Sequence, residues 1–307
     1  MNVSLIVPTY NGGEMWNECA RAIVTQSFQP QRIMVVDSSS TDNTQSVAND
    51  YNFELKIISS SDFNHGGTRN FAAKLCANSE VLVFLTQDAI FSSEYSLNYI
   101  LDCLKDPAIA AVCGRQLPHK DANPIAVHAR LFNYPDNSRV KDKSDIESLG
   151  LRVPFMSNSF AAYRTSALRD IGGFPDNTIL AEDMSTAAKM VLSGFKVMYC
   201  AEATVFHSHN YTPWQEFQRY FDTGVFHSCE PWIREKFGGA SSEGKKFLLS
   251  EFRYLLNNAP SWIPRALFTT LCKFAGYKLG LWHMFMPSSL NRYFSMYKSY
   301  WSQQSKI

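Results

Sequence analysis

Asp88 lies in the polar stretch TQDA (residues 86–89), directly after the apolar run VLVFL (81–85). A carboxylate at a strand end suits Mg²⁺ or Mn²⁺, because these hard cations prefer oxygen ligands and often bridge phosphates. Such a cation would neutralise the charge that develops on a leaving diphosphate. A helix cap or a turn is the simpler interpretation of one aspartate at this place. Asp88 is nevertheless a candidate metal ligand, because its carboxylate follows a predicted strand.

The segment DFNHGGTRN (62–70) has the composition of a phosphate-binding turn. The pair Gly66 and Gly67 would let backbone N–H groups approach an anion closely, and the helix that follows would direct its positive dipole end toward it. Arg69 could add a forked contact to a diphosphate. An ordinary glycine turn, with His65 and Arg69 on a solvated face, explains the same residues equally well.

A third polar segment, DSSSTDNT (37–44), follows the apolar run RIMVVD (32–37). The carboxylate of Asp37 can accept hydrogen bonds from a base N–H or from ribose hydroxyls. The alternative interpretation is a loop whose polar side chains cap the next helix. The loop is the simpler interpretation, and the position of Asp37 at a strand end only narrows the difference between the two.

An acid pair, Glu182 and Asp183, begins a helical pattern, and His207 follows the next strand pattern. Acids in a first helical turn usually just complement the helix dipole, and a single histidine is usually structural or on the surface. The order is more informative than the residues taken separately. A strand-end aspartate, a helix-start acid pair and a strand-end histidine in one α/β body together indicate an active site.

Short apolar runs alternate with helical patterns in the first half of the chain, which predicts an α/β fold with a mostly parallel sheet flanked by helices. The runs are 4–8, 32–37, 55–59, 81–85 and 110–114. The polar segments, including PTYNGG (8–13), follow these runs, and the carboxyl ends of parallel strands form the edge where ligands bind.

The second half is less regular. The stretch 118–151 is charged and irregular, which predicts a loop. A helix is predicted from Ala181 to Gly194, followed by the strand KVMYC (196–200). Beyond Trp214 the pattern is helical and aromatic to the end.

Composition excludes several classes of protein. The net charge of +1 over 307 residues gives no electrostatic case for nucleic acid. A nicotinamide enzyme or a P-loop NTPase is disfavoured, because neither GxGxxG after the first strand nor GxxxxGK[ST] occurs. Seven scattered cysteines without a CxxC pair favour a reducing cytoplasm. The N-terminus does not resemble a signal peptide, and lysines interrupt the best apolar run, 266–286, so a membrane span is not expected.

Over about residues 3–210 the chain resembles glycosyltransferase family 2, by PTYNGG, VVDSSSTD, the Arg69 helix, Asp88, AEDMSTAAKMVLSGFKV and AEATVFH. The resemblance implies a GT-A fold, with a Rossmann-like nucleotide-binding half, and a nucleotide-sugar donor. We expect a catalytic domain over 1–210, divided into a donor half (1–114) and an acceptor half (115–210). A helical C-terminal region (211–307) would follow it.

The family pattern also implies roles for individual residues. Asp183 would be the catalytic base of a metal-dependent inverting transfer, and Asp88 and His207 would hold Mg²⁺ or Mn²⁺. The expected donor-binding residues are Thr9, Asn11, Asp37, His65, Gly66, Gly67, Arg69, Gln87 and Asp88. The chain departs from the family's DxD motif, because Thr86 replaces the first aspartate and Gln87 fills the middle position. This departure puts the strength of metal binding in question.

Three stretches, FNHGGTRN with LTQDA and RYFDTG (219–224), are similar to the subgroup of rhamnosyltransferases that builds bacterial O-antigen. The similarity implies dTDP-L-rhamnose as donor, a polyprenyl-diphosphate-linked saccharide as acceptor, and the cytoplasmic face of the inner membrane as the workplace. Three alternatives stay open: a transferase that uses another donor such as a UDP-sugar, a sugar nucleotidyltransferase, and a non-catalytic nucleotide-sugar-binding protein.

The tail from Phe252 to Ile307 has seven basic residues and no acid. Basic and aromatic side chains together suit the headgroup region of an anionic membrane. We therefore expect peripheral membrane attachment, with a helical bundle on the catalytic body or a homodimer interface as the alternatives. The basic residues are Arg253, Arg265, Lys273, Lys278, Arg292, Lys298 and Lys306, and the aromatic ones include Trp262, Phe268, Phe274, Tyr277, Trp282, Phe285, Phe294 and Trp301.

Overall fold

A computed structural model describes residues 1–238 and 241–304 of the chain. The strands are β1 (Val3–Thr9), β2 (Arg32–Asp37), β3 (Glu54–Ile57), β4 (Val81–Leu85), β5 (Ile90–Phe91), β6 (Ile109–Leu117), β7 (Arg139–Lys141), β8 (Phe160–Arg164) and β9 (Lys196–Phe206). The basic residue Lys306 of the predicted tail lies outside the described residues.

The α-helices are α1 (Gly13–Val24), α2 (Thr44–Asp50), α3 (His65–Leu75), α4 (Ser96–Cys103), α5 (Pro124–Asn133), α6 (Ile146–Leu149), α7 (Thr165–Asp170), α8 (Glu182–Leu192), α9 (Pro213–Cys229), α10 (Pro231–Phe237), α11 (Ser241–Asn258), α12 (Ile263–Leu281), α13 (Ser288–Phe294) and α14 (Lys298–Gln304). Short 3₁₀ turns lie at Lys143–Asp145, Gly150–Arg152, Pro260–Trp262 and His283–Phe285.

The strands form one sheet in the order β3-β2-β1-β4-β8-β6-β9-β5, with β7 on β9. Strands β3, β2, β1 and β4 are parallel, as are β6 and β9, whereas β8 runs antiparallel to both of its neighbours. Continuous apolar runs such as VLVFL in β4 are wholly buried, because helices cover the parallel part of the sheet. The predicted α/β class with a mostly parallel sheet is confirmed.

The residues divide into two compact units. The first comprises Met1–His119, Tyr134–Asp176 and Glu182–His207 and contains the sheet. The second comprises Lys120–Asn133, Asn177–Ala181 and the described part of Ser208–Ile307, and is helical. The expected division near residue 210 stays a prediction.

The stretch 118–151 is not the loop that its charge predicted. It contains α5, β7 and the short helix α6. Helix α5 has only ten residues, and charged segments on both sides conceal its apolar face, Ile125 and Ala126, in the sequence. The sequence prediction was therefore wrong for this segment.

In the second unit, α12 packs on α9 through glycines. A Cβ at Gly276 would lie 2.2 Å from the Phe217 carbonyl oxygen, and one at Gly280 would lie 2.0 Å from that of Phe221. A Cβ at Gly224 of α9 would likewise meet the Tyr277 carbonyl oxygen at 2.3 Å. Because no side chain separates the backbones, the two helices are in direct contact.

The motif RYFDTG, in α9, has a structural role in this packing. Phe221 is fully buried, and the buried carboxylate of Asp222 accepts a hydrogen bond from the Met296 N–H at 2.9 Å. This bond ties α9 to the segment between α13 and α14.

Among the described residues, no helix combines the length and the apolar character needed to cross a membrane.

Candidate active site

Asp37 organises the loop after β2. Its carboxylate accepts hydrogen bonds from the Thr9 hydroxyl at 2.9 Å, from the Ser40 N–H at 2.8 Å and from the Gln45 amide at 2.8 Å. The side chain is fully buried, which is affordable for a carboxylate only because several donors satisfy it. Asp37 thereby joins β1 and the DSSSTDNT loop, and its predicted contact with a nucleotide base stays a prediction.

Two residues of these loops have left-handed backbone, with φ of 45° at Asn11 and 61° at Ser39. Such conformations disfavour residues other than glycine and are concentrated at ligand-binding sites. The Asn11 side chain accepts a hydrogen bond from the Thr41 N–H at 2.8 Å, so it connects the first loop to the second. The loops after β1 and β2 are therefore joined by hydrogen bonds at one edge of the sheet.

Gln87 holds the first loop from the side of β4. Its amide accepts from the Tyr10 N–H at 2.8 Å and donates to the Tyr10 carbonyl at 3.0 Å. The middle residue of the altered DxD motif is therefore a bidentate backbone clamp, which an aspartate could not provide because it lacks a donor.

The glycine pair at the start of α3 has a packing reason that the sequence did not indicate. A Cβ at Gly66 would lie 1.8 Å from the Pro175 carbonyl oxygen. Gly67 donates its N–H to the side chain of Asn64, which caps the helix. Gly66 thus permits close contact between α3 and the segment before α8, and the predicted phosphate contact of both glycines stays a prediction.

The Arg69 guanidinium lies inside the protein. It forms an ion pair with Glu182 at 3.1 Å and donates to the His65 carbonyl at 2.8 Å. The Arg69 and Glu182 side chains are each only 6% exposed. Burial opposes ionisation of Glu182, but Arg69, His65 and the hydrogen bond from Asn158 together outweigh it and hold the pKa of Glu182 below its usual range. A direct contact between Arg69 and a diphosphate stays a prediction.

Asp183, next to Glu182 at the start of α8, is partly exposed. Its carboxylate accepts hydrogen bonds from the Asn158 N–H at 3.0 Å and from the Met184 N–H at 2.7 Å. Loss of water around the carboxylate, and then the negative charge of Glu182, raise the pKa of Asp183 to about 7. A carboxylate with such a pKa is matched to proton transfer near neutral pH.

Asp88 and His207 lie together, with Asp88 Oδ1 3.5 Å from His207 Nε2. On the other side of the ring, Nδ1 lies 2.9 Å from Gln116 Oε1, while the Gln116 amide nitrogen donates to the Ser157 hydroxyl at 2.8 Å. This network places a proton on Nδ1, so in the neutral imidazole Nε2 presents a lone pair toward Asp88. An imidazole lone pair and a carboxylate facing each other are the donor set of a divalent cation.

The sequence profile of glycosyl transferase family 2 matches residues 4–172. Two curated proteins are similar along nearly their whole lengths. The O-antigen chain rhamnosyltransferase WbaN of Salmonella anatum is 58% identical over 97% of this chain and 95% of its own. The chain belongs to glycosyltransferase family 2. RfbN of Salmonella typhimurium strain LT2, also an O-antigen chain rhamnosyltransferase, is 58% identical over 98% of this chain and 96% of its own.

Among solved structures, this family 2 chain is similar to the mannosyltransferase PcManGT from Pyrobaculum calidifontis, solved in complex with GDP-Man and Mn²⁺. The TM-score is 0.64 at 20% identity, over 92% of this chain and 87% of that one. The similarity bears on the fold alone, and with the sheet described above it confirms the GT-A fold that the motifs implied.

Several residues that support this family 2 site were not predicted from the sequence. Asn158 donates hydrogen bonds to both acids of the pair, and Tyr163 donates one to Asn158. Gln116 orients the ring of His207 through a hydrogen bond. Asparagine, tyrosine and glutamine occur in every kind of protein, so their type carries no signal. Asn158 lies two residues before β8, and Gln116 is the next-to-last residue of β6, so only the strand order brings them to the acids and the histidine.

Proposed function

We propose that the chain transfers L-rhamnose from dTDP-L-rhamnose to a lipid-linked saccharide during O-antigen synthesis. The observation that carries this proposal is the 58% identity to two O-antigen chain rhamnosyltransferases over nearly the whole chain. Because whole lengths are matched, the proposal extends to the acceptor-binding part as well as to the donor-binding part. The acceptor saccharide is carried on a polyprenyl diphosphate.

The proposed reaction is a single displacement. Asp183 accepts the proton of an acceptor hydroxyl while that oxygen forms a bond to the anomeric carbon of rhamnose. The bond from this carbon to the diphosphate breaks at the same time, and the proton later passes from Asp183 to solvent. One displacement inverts the anomeric centre, whereas retention through a covalent intermediate would need a second carboxylate as nucleophile.

We propose that Asp88 and His207 hold Mg²⁺ or Mn²⁺. The facing lone pairs of the two side chains fit such an ion, which would supply charge neutralisation at the diphosphate. The donor would lie along the edge formed by the loops after β1 and β2 and the start of α3. The proposed donor-binding residues are Thr9, Asn11, Asp37, His65, Gly66, Gly67, Arg69, Gln87 and Asp88.

We expect calorimetry to show tighter binding of dTDP-L-rhamnose than of UDP-glucose or GDP-mannose in the presence of Mn²⁺. The control is dTDP-glucose, which keeps the nucleotide and changes the sugar, so it separates recognition of the base from recognition of rhamnose. Equal use of UDP-glucose in a transfer assay would contradict the proposed donor and favour the alternative of a UDP-sugar transferase.

A non-catalytic nucleotide-sugar-binding protein is the alternative function. Counting the nucleotide released from the donor with and without acceptor separates the two. Release that depends on acceptor supports the transferase, and binding without release supports the alternative.

We also propose that the catalytic domain spans residues 1–210, with donor and acceptor halves at 1–114 and 115–210 and a helical region over 211–307.

We propose further that the protein works at the cytoplasmic face of the inner membrane as a peripheral protein. Helix α12 turns its small residues, such as Gly276, toward α9 and leaves Leu267, Leu271 and Phe274 about 60% exposed or more. Beyond the helix, Met284 and Phe285 are 80% and 88% exposed. An apolar face of this size on a protein surface marks an interaction site.

Charge favours a membrane over a second copy as the partner of this face. Arg265 and Lys278 are exposed on α12, so a self-contact would bring like charges together. An anionic leaflet would instead attract each basic residue by about 1 kcal/mol. Other parts of the predicted tail serve the interior: Lys273 is 13% exposed and pairs with Glu216 at 3.4 Å, and Trp301 is 5% exposed.

We expect the protein to sediment with anionic liposomes at low salt and to be partly released at high salt, because salt screens the charge attraction. Phe285→Ser should weaken sedimentation, whereas Ile57→Ser, at another exposed apolar residue, should not. Point variants are preferable to truncation, since loss of α12 would uncover α9. Equal binding to neutral vesicles would contradict the electrostatic part, and a dimer in solution that Phe285→Ser dissociates would assign the face to self-association.

A further inference from the structure

A buried ion pair lies directly behind the proposed base. Arg69 of α3 and Glu182 of α8 are each 6% exposed at the side chain, and their charges are 3.1 Å apart. Removing two charges from water costs about as much as their attraction returns, so such a pair is weak evidence for a stabilising role. Apolar residues of the same size would serve packing equally well. The pair therefore calls for a role other than stability.

Asn158 connects this pair to the base. Its backbone N–H donates to Asp183 Oδ2 at 3.0 Å, and its side-chain amide donates to Glu182 Oε1 at 2.9 Å. The Tyr163 hydroxyl donates to Oδ1 of the Asn158 side chain at 2.8 Å, which fixes the orientation of the side-chain amide. Asn158 thus donates hydrogen bonds to both neighbouring carboxylates, one from its backbone and one from its side chain.

We propose that Arg69, Glu182 and Asn158 are positioning residues that hold the Asp183 carboxylate in place and set the pH at which it accepts a proton. The inference rests on the proposed role of Asp183 as the base. It gives Arg69 a function through Glu182 that differs from a contact with the donor diphosphate.

The charges around Asp183 act in opposite directions. Burial and then the Glu182 carboxylate raise the pKa of Asp183, while hydrogen bonds from Asn158 and Met184 and the positive charge of Arg69 lower it. Tyr163 and Cys113 also face Asp183, but burial raises the pKa of both, so they stay neutral near pH 7. Another titratable neighbour among the described residues is His65, which faces Glu182 and Arg69, and burial lowers the pKa of His65. Glu182 and Arg69 are therefore the two charges that tune the base.

The test is the pH dependence of kcat/KM for three variants. Glu182→Gln keeps the size of the side chain and removes the negative charge, so the acid limb of the profile should move to lower pH by about one unit. Arg69→Gln removes the positive charge and should move the limb to higher pH. The acid limb of the double variant should lie between those of the two single variants. It should still lie at a lower pH than the native limb, because Glu182 affects the pKa of Asp183 more than Arg69 does. If a single variant does not fold, the double variant still decides the outcome.

Glu216→Gln is the matched control, since Glu216 forms another ion pair with little exposure, with Lys273 in the second unit. It should lower the melting temperature without moving the acid limb. A merely structural role of Arg69 and Glu182 would give the same result in their variants. Rescue of the native profile by Arg69→Lys would further support a role of the charge.

Unchanged acid limbs in Glu182→Gln and the double variant, or in the double variant alone if Glu182→Gln does not fold, would overturn the proposal. A higher donor KM in Arg69→Gln, with an unchanged acid limb, would overturn it as well and would place Arg69 at the diphosphate. Failure of the proposed function looks different, because Asp183→Asn would then remain active or rhamnose would not be transferred. The two failures are therefore distinguishable.

Discussion

Asp183→Asn is expected to reduce turnover by about 100-fold or more, which is the usual scale of general-base catalysis. Asparagine has nearly the same size, but its single amide oxygen can accept only one of the two hydrogen bonds that the Asn158 and Met184 N–H groups now donate to separate carboxylate oxygens. It cannot accept a proton from the acceptor hydroxyl. The measurement is the rate of acceptor-dependent dTDP release at saturating donor.

Donor affinity should be unchanged in this variant, and calorimetry with dTDP-L-rhamnose provides that control. Asp102→Asn, at an acid whose side chain is 60% exposed on α4, should keep full turnover. The native enzyme should gain activity as the pH rises through about 7, because the base must be ionised to accept a proton. Near-normal turnover of Asp183→Asn would show that another group is the base.

Asp88→Ala should lower activity by at least about 100-fold and abolish the response to added Mn²⁺, since it removes a direct ligand of the proposed ion. His207→Ala should have the same direction. The measurement is activity against Mn²⁺ concentration after chelation, together with Mn²⁺ binding by calorimetry in the absence of donor.

Gln116→Leu offers a graded control for the metal proposal. It leaves both ligands in place but removes the acceptor for His207 Nδ1, so metal affinity should fall by about 10- to 100-fold while saturating Mn²⁺ restores activity. Full activity of the native protein in excess EDTA would remove the ion from the mechanism. The change of the first DxD residue to Thr86 makes this experiment decisive.

Most of the parallel part of the sheet could be predicted because β1, β2 and β4 are short apolar runs that are largely buried. Strand β3, at the edge of the sheet, is only partly buried, and it lies at 54–57 rather than at the predicted 55–59. VLVFL became β4 and RIMVVD became β2 at the predicted residues. Asp183 and Asp88 could be selected as candidates because their positions at a helix start and a strand end follow from local pattern. Both depend on neighbours in the chain, and local sequence contains that information.

The network around the acids could not be predicted in the same way. The ion pair of Arg69 with Glu182 spans more than a hundred residues, and Asn158 reaches the acids only because β8 lies antiparallel between β4 and β6. An arginine at a helix start is as compatible with a solvated face or a phosphate as with a buried carboxylate. The role of the arginine depends on the group that it contacts, and only the tertiary fold brings that group to it.

The direct backbone contact of α9 and α12 constrains how this family of chains can diverge. At Gly224, Gly276 and Gly280 even one added methyl group would force the helices apart. Substitutions at these three positions are therefore not tolerated unless α9 and α12 pack in a different way. The outward residues of α12 meet no such limit and can exchange one large apolar side chain for another. Among relatives, the three glycines should therefore persist after the outer face has changed beyond similarity, and they offer a more durable mark of common descent than the aromatic residues that the helix displays.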